Sequence, residues 1–303
     1  MQLRIIFLGT SSAVPTAKRS LSSVAIIRGD EVLVFDTGEG MQRNFLQSGI
    51  GTNKSMSIFI THMHSDHVIG LLGFLQTLEL FGRDKELRVY GSRELYEFIT
   101  VNMRLLNFRL SYPLFFKEVS EGIVVKSKEY EVRARLAEHS VTTYSYCLEE
   151  YPRPGVFYPE KALALGIPKG KLWHRLQHGE AIEIDGRIIN PQDVTSAKRR
   201  GRKIGISGDT RPNPHLAEFF RSSDVLIFDS TYGDDHASNA ISNMHSTARE
   251  AAMLAKEANV HLLILTHFSA RYNDTDILLK EASIHDNVIA AEDMMMIEVP
   301  YRE

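Results

Sequence analysis

The stretch "FITHMHSDHVIGLLGF", residues 59 to 74, places His62, His64, Asp66 and His67 within six positions, between two apolar segments of different period. Upstream, Ile58, Phe59 and Ile60 form a short β-rich run. Downstream, Val68, Leu71, Leu72 and Leu75 recur at the i, i+3, i+4, i+7 spacing of a helix buried on one face. The pattern predicts a strand-to-helix turn that aims all four polar side chains at one point beyond a strand end, where open α/β sheets bind ligands. Imidazoles and a carboxylate converging without thiolates suit zinc, and positions left open to water would make the site catalytic rather than structural. A solvated polar loop is the alternative for any one of these residues; the four together favour a shared site.

Three further apolar runs end in a possible ligand. Val132, Ala134 and Leu136 alternate as in a half-buried strand and lead to His139. Ile204 and Ile206 of "KIGISGDT" lead to Asp209, and Leu262 to Leu265 of "HLLILTHFSARY" deliver His267. Residues 247 to 258, rich in alanine, read as a helix between such strands. A single polar residue at a strand end is ordinarily just satisfied there; four strand ends offering ligands are better explained by one site.

With 303 residues, the chain can bury one large core or two modest ones, and an enzyme-sized unit is expected. Cys147 is the only cysteine, which excludes an internal disulfide and reads as a small core residue. The opening "MQLRIIFLGTSSAVP" is too short an apolar run, interrupted by Arg4, for a secretion signal, and no stretch approaches membrane-span length. A cytoplasmic location and no membrane partner are expected.

The net charge of −3 argues against bulk nucleic-acid affinity, but its distribution is uneven. Residues 151 to 203 carry eleven Lys or Arg against five Asp or Glu, a net of +6, on a remainder of −9. Such asymmetry marks either a nucleic-acid contact surface or a solvated basic face. Residues 151 to 186 are also dense in Pro and Gly, from Pro152 and Pro154 to Gly179, and predict an inserted arm rather than a continuation of a sheet. Trp173 lies there among Lys169, Lys171 and Arg175, either for RNA contact or as the packing of a small hairpin. The run "KRRGRK" at 198 to 203 reads as a solvated turn, and His174, His178, His215, His236, His261 and His285 as ordinary histidines.

"THMHSDH", followed in order by His139, Asp209 and His267, is similar to the HxHxDH signature of the metallo-β-lactamase superfamily. "FLGTSSAVPTAKRSLSS", "FDTGEG", "MHSTA", "SARY" and the arm "RPGVF…GIPKGKL" resemble, over nearly the whole chain, RNase Z, the endoribonuclease family that trims the 3′ trailer from precursor tRNA. The resemblance implies an αββα sandwich over residues 1 to 303 with the flexible arm 151 to 186 inserted as a tRNA-binding exosite. It implies two zinc ions: one on His62, His64 and His139, the second on Asp66, His67 and His267, with Asp209 bridging. Asp66 would also orient the bridging hydroxide or take its proton, and His245 would be the general acid.

The chain departs from many relatives at Asp229, where they carry Glu, and at Phe228, where they carry His; to orient His245, the shorter Asp229 must come closer. Arg271 is a candidate phosphate contact, and Arg153, Lys169 and Lys171 are candidate arm contacts to precursor tRNA. Asp36 is a candidate hydrogen-bond partner of a ligand histidine. A homodimer is expected. The competing readings are a small-molecule ester or phosphodiester hydrolase of the same superfamily, if the basic arm is incidental, and a non-catalytic tRNA-binding metalloprotein.

Overall fold

The computed structural model describes residues 1–302 and divides into two compact units. The first comprises Met1–Glu149 and Lys203–Pro300; the second comprises Glu150–Arg202 with Tyr301 and Arg302. In chain order the strands are β1 (Leu3–Gly9), β2 (Ser23–Arg28), β3 (Glu31–Phe35), β4 (Ser55–Phe59), β5 (Leu87–Gly91), β6 (Leu114–Glu118), β7 (Gly122–Lys126), β8 (Tyr130–Leu136) and β9 (Tyr144–Glu150). There follow β10 (Ile182–Ile184) and β11 (Arg187–Ile189) of the second unit, then β12 (Lys203–Ile206), β13 (Val225–Asp229), β14 (Leu262–Thr266), β15 (Val288–Ala290) and β16 (Met296–Glu298).

Strands of the first unit form two seven-stranded sheets, ordered β16-β1-β2-β3-β4-β5-β6 and β15-β14-β13-β12-β9-β8-β7. The period of two along β1 decides which layer each side chain enters. Leu3, Ile5 and Phe7 join Phe35, Phe59, Val132, Tyr146, Ile204 and Ile227 in the core between the sheets. Ile6 and Leu8 point the other way, under the helices Met41–Gln47, Leu71–Leu80 and Arg93–Leu105. Helices Pro214–Phe219, Ala248–Glu257 and Asp276–Ala282 cover the far face of the second sheet. The result is the αββα sandwich expected.

Within each sheet four neighbouring strands run parallel, β3 to β6 in one and β12 to β15 in the other, so their carboxyl ends open on one edge. The Phe59 ring, fully buried, stacks 5.0 Å from Phe35 and 4.7 Å from Tyr90, and thereby anchors the end of β4 two residues before Thr61. The single helix expected after the turn is two: Ser65–Val68 and Leu71–Leu80. Gly70 separates them because its backbone passes against Thr37 and Gly38; a Cβ there would meet the Gly38 carbonyl at 2.4 Å. Leu136 departs from the expected alternation. Val132 and Ala134 are buried, but Leu136 is 46% exposed, because its strand ends beyond the last paired residue of β7.

The second unit has a core of its own, made of Ala162, Ile167, Leu176, Ile182, Ile189 and Val194. Helices Pro159–Ala164, Lys171–Gln177 and Pro191–Val194 and the β10–β11 hairpin supply these side chains. The expected boundary at 186 therefore needs correction. Gly186 lies in the turn between β10 and β11, and a cut there would split the hairpin and remove Ile189 and Val194 from the core. Trp173 is half-buried against Phe157 with its Nε1 donating to the Ile167 carbonyl, so packing accounts for it. Nor is the 198–203 run wholly solvated: Arg202 is buried in an ion pair with Glu150 at 2.8 Å. Among the described residues, no helix is long and apolar enough to cross a membrane.

Candidate metal centre

The carboxyl ends of β4, β12, β13 and β14 bring His62, His64, Asp66, His67, Asp209, Asp229 and His267 together, and the segment after β8 adds His139. Three groups of four donors result: Asp209, Asp229, His245 and His267, in which Asp229 is paired with His245, and two more, His62, His64, His139 and Asp209, and Asp66, His67, Asp209 and His267. Within each, one ligand atom per residue lies within 4.8 Å of all the others. Asp209 belongs to all three. Its Oδ2 is 3.5 Å from His62 Nε2, 3.3 Å from His67 Nε2 and 3.9 Å from His139 Nε2, while its Oδ1 is 3.3 Å from His267 Nε2.

Two carboxylates behind the ligands fix which nitrogens face inward. Asp36 accepts from His67 Nδ1 at 2.8 Å and from the Thr61 hydroxyl at 2.9 Å. With its hydrogen given to Asp36, Thr61 Oγ1 accepts from His62 Nδ1 at 2.9 Å. Asp229 repeats the arrangement, accepting from His245 Nδ1 at 2.9 Å and from Thr231 Oγ1 at 2.7 Å, which in turn faces His267 Nδ1 at 2.8 Å. The Met244 carbonyl accepts from His139 Nδ1 at 2.9 Å. The Nδ1 hydrogens of His62, His67, His139 and His267 thus point outward and their Nε2 lone pairs inward; His64 instead turns Nδ1 toward His62 and His139, at 3.0 and 3.2 Å.

Inward lone pairs crowded around two carboxylates call for a cation. His67 Nε2 and His267 Nε2 face each other at 3.3 Å, a contact repulsive between bare lone pairs. Burial opposes charging of His67, but Asp209 and Asp36 outweigh it and raise its pKa well above the ordinary value. Burial and the neighbouring His67 hold His62 well below its own, leaving a neutral lone pair. Asp66, although desolvated, is held below the usual carboxylate range by the neighbouring His267 and His67 imidazoles, and its Oδ2 accepts from the Ala13 amide at 2.8 Å. Nitrogen and oxygen donors without thiolate, four around each of two points sharing one carboxylate, fit divalent metal.

The backbone is bent to serve this edge. Asp36, Met244 and His267 have φ of 60°, 58° and 63°, rare for residues with a Cβ. His62, Asp66, His67, Asp209 and His267 are buried, whereas His64, His139 and His245 are half-buried and form the open rim. His245 sits 5.0 Å from His139 and 5.2 Å from His267 between ring centroids. Burial would lower its pKa, but the charge and hydrogen bond of Asp229 raise it to about 9. Short as its side chain is, Asp229 at the end of β13 reaches His245 Nδ1 at 2.9 Å.

Arg271 is exposed, its Nε donating to Ser269 Oγ at 3.0 Å and its guanidinium 5.1 Å from the Tyr232 ring. In the second unit Lys169 and Lys171 are exposed, whereas Arg153 is half-buried with its guanidinium 3.4 Å from the Tyr301 ring. Thr61, Thr231, the Met244 carbonyl and the Ala13 amide were not singled out from sequence; only Thr61, adjoining the motif, carried a signal.

Comparison with known proteins agrees with this geometry. A family model described as anti-Pycsar protein Apyc1 matches residues 3–112. The short form of human tRNase Z superposes with a TM-score of 0.70 at 24% identity, covering 98% of this chain and 99% of that one. A metallo-β-lactamase fold protein from Bacillus subtilis gives 0.70 at 18% identity, covering 98% and 100%. A ribonuclease Z from Nitrosopumilus maritimus is 45% identical over 298 residues, 98% of this chain and the whole of that one. The chain has the metallo-β-lactamase fold and belongs to the ribonuclease Z family.

Proposed function

We propose that this chain removes the 3′ trailer from precursor tRNA by hydrolysis of one phosphodiester at a two-zinc site, with His245 as general acid. The observation that carries the reading is the pair of four-donor groups sharing Asp209, beside a histidine oriented by its own carboxylate. His62, His64 and His139 would hold one ion, Asp66, His67 and His267 the other, and Asp209 both. When bound, zinc acidifies water toward neutral pH and offsets phosphate charge.

The chain's own groups account for the rest. Asp66, fixed by the Ala13 amide and His267, takes the proton of the attacking water. Water oxygen bonds to phosphorus as the bond to the 3′-oxygen breaks, leaving a 5′-phosphate on the trailer and a 3′-hydroxyl on the tRNA. His245, its Nδ1–H held by Asp229, gives a proton from Nε2 to that departing oxygen. Arg271, exposed beside Tyr232, is a phosphate contact.

The second unit is proposed to bind the tRNA body. Lys169 and Lys171 are free of buried pairing, Arg153 is packed on Tyr301, and Lys198, Arg199, Arg200 and Arg302 line a cleft of about 450 Å³. That cluster of cations supports RNA over the small substrates of other superfamily hydrolases. We also infer a cytoplasmic homodimer. Exposed Leu80, Phe81, Leu105 and Leu106, at the ends of two helices, support a partner surface, and the lone buried Cys147 is compatible with a reducing compartment.

Incubation of precursor tRNA with the purified protein tests the reading directly. Cleavage at the trailer junction, abolished by a chelator and restored by zinc, is expected; binding without cleavage would favour the non-catalytic alternative. His245→Ala should retain metal and lose roughly 10²- to 10⁴-fold in RNA cleavage. Its loss on bis(p-nitrophenyl) phosphate, whose leaving group needs no proton, should be far smaller, and equal losses would remove the acid role.

Removal of the second unit is also feasible, because Glu149 and Lys203 are paired neighbours in the β9–β12 ladder and a short turn can join them. The shortened protein should keep its metal and its activity on the small diester. Precursor tRNA binding should weaken and lose salt dependence, by a slope of roughly 0.7 to 0.9 for each phosphate contact removed. Undiminished tRNA cleavage by that variant would make the basic unit incidental.

A further inference from the structure

Arg211 has no assigned part in the reaction, yet it joins the strand end that carries Asp209 to the loop that carries His245. Its backbone amide donates to the Glu138 carbonyl at 2.9 Å, one residue before His139. Its side chain, 16% exposed, donates from Nη1 to the His245 carbonyl at 2.5 Å and to Glu250 Oε2 at 2.7 Å, while Nη2 pairs with Glu250 Oε1. Glu250 in turn accepts from the Thr247 amide at 2.9 Å, closing the capping box that starts helix Ala248–Glu257. Ser246, between them, donates to the Thr210 carbonyl at 2.6 Å. The 244–247 segment is therefore fastened to residues 210 and 211 by side chains reaching in both directions.

This fastening matters because two neighbouring residues of the segment serve the site in different ways. The Met244 carbonyl holds His139, and the His245 ring faces Asp229; a φ of 58° at Met244 lets both point the same way. The guanidinium fork grips the Glu250 carboxylate, and its Nη1 also holds the carbonyl of His245 itself, so the ring pivots on a backbone unit held from behind. Without that contact, Asp229 still orients Nδ1 and the His245 amide still donates to the Ala240 carbonyl at 2.8 Å, but the carbonyl end of the same backbone unit loses its hydrogen bond and the reach of the ring over the open rim is less well set. A displacement of about 1 Å at a reacting group can cost on the order of 10²-fold in rate.

We infer that Arg211 is a positioning residue for His245, setting proton delivery to the leaving 3′-oxygen without touching substrate. The inference rests on His245 being the general acid. Arg211→Ala and Arg211→Lys should be assayed with full metal content verified, on precursor tRNA and on bis(p-nitrophenyl) phosphate. Arg211→Ala is expected to lower kcat on RNA by roughly 10- to 100-fold while leaving the activated diester within about threefold. Arg211→Lys, which keeps the charge and one reach but not the fork, should recover part of the loss and serves if the alanine variant does not fold.

In a His245→Ala background, Arg211→Ala should cost nothing further on RNA, since a residue acting through His245 has nothing left to act on. Equal losses on both substrates, or additive losses in the double variant, would show that Arg211 merely stabilises the helix start and would overturn the inference. Should His245→Ala itself lower both substrates equally, the general-acid reading falls and this inference with it; the two failures are distinguished by which single variant shows the equal loss.

Discussion

A buried carboxylate surrounded by imidazole nitrogens is the constraint around which this molecule is organised. Asp209 is almost fully enclosed, with nitrogen atoms of His62, His67, His139 and His267 between 3.3 and 3.9 Å from its oxygens. An unpaired charge there would be strongly destabilising, so the site demands positive charge among its donors. For that reason Asp209 and Asp36 raise the pKa of His67 against the opposing effect of burial. The αββα sandwich makes such a centre possible, because parallel strands in both sheets end on the same edge.

The supporting shell has an internal regularity. Asp36 fixes one histidine directly and a second through Thr61; Asp229 does the same through Thr231. In each case the threonine gives its hydrogen to the carboxylate and is left able only to accept from imidazole. The difference lies in what the directly held histidine does. Asp36 holds a ligand, His67, whereas Asp229 holds His245 on the open rim, so one device serves metal binding and the other proton transfer.

Much of this was legible in sequence because the informative residues are contiguous or follow apolar runs. The turn from Phe59 to Phe74 announced itself by two periodicities meeting at three histidines and an aspartate, and His139, Asp209 and His267 each stand just beyond a strand. What sequence did not disclose depends on register and backbone direction. Thr231 matters because β13 and β14 pair so that it faces His267; Met244 contributes a carbonyl and Ala13 an amide, which no side-chain pattern marks. The second unit was misjudged in extent for a similar reason. Pro and Gly density located its start, but its end is set by Ile189 and Val194 packing back on Ala162 and Leu176, a tertiary fact. Trp173 read as a possible RNA contact from its basic neighbours, yet its ring is needed in that small core.

The claim most central to this account is that one carboxylate serves both groups of donors. Elemental analysis of the purified parent and of Asp209→Ala tests it most directly, with circular dichroism confirming that the variant is folded. Near two equivalents of zinc in the parent and well under one in the variant is the expected result. A parent holding a single tight ion that the variant retains would contradict the shared-carboxylate centre.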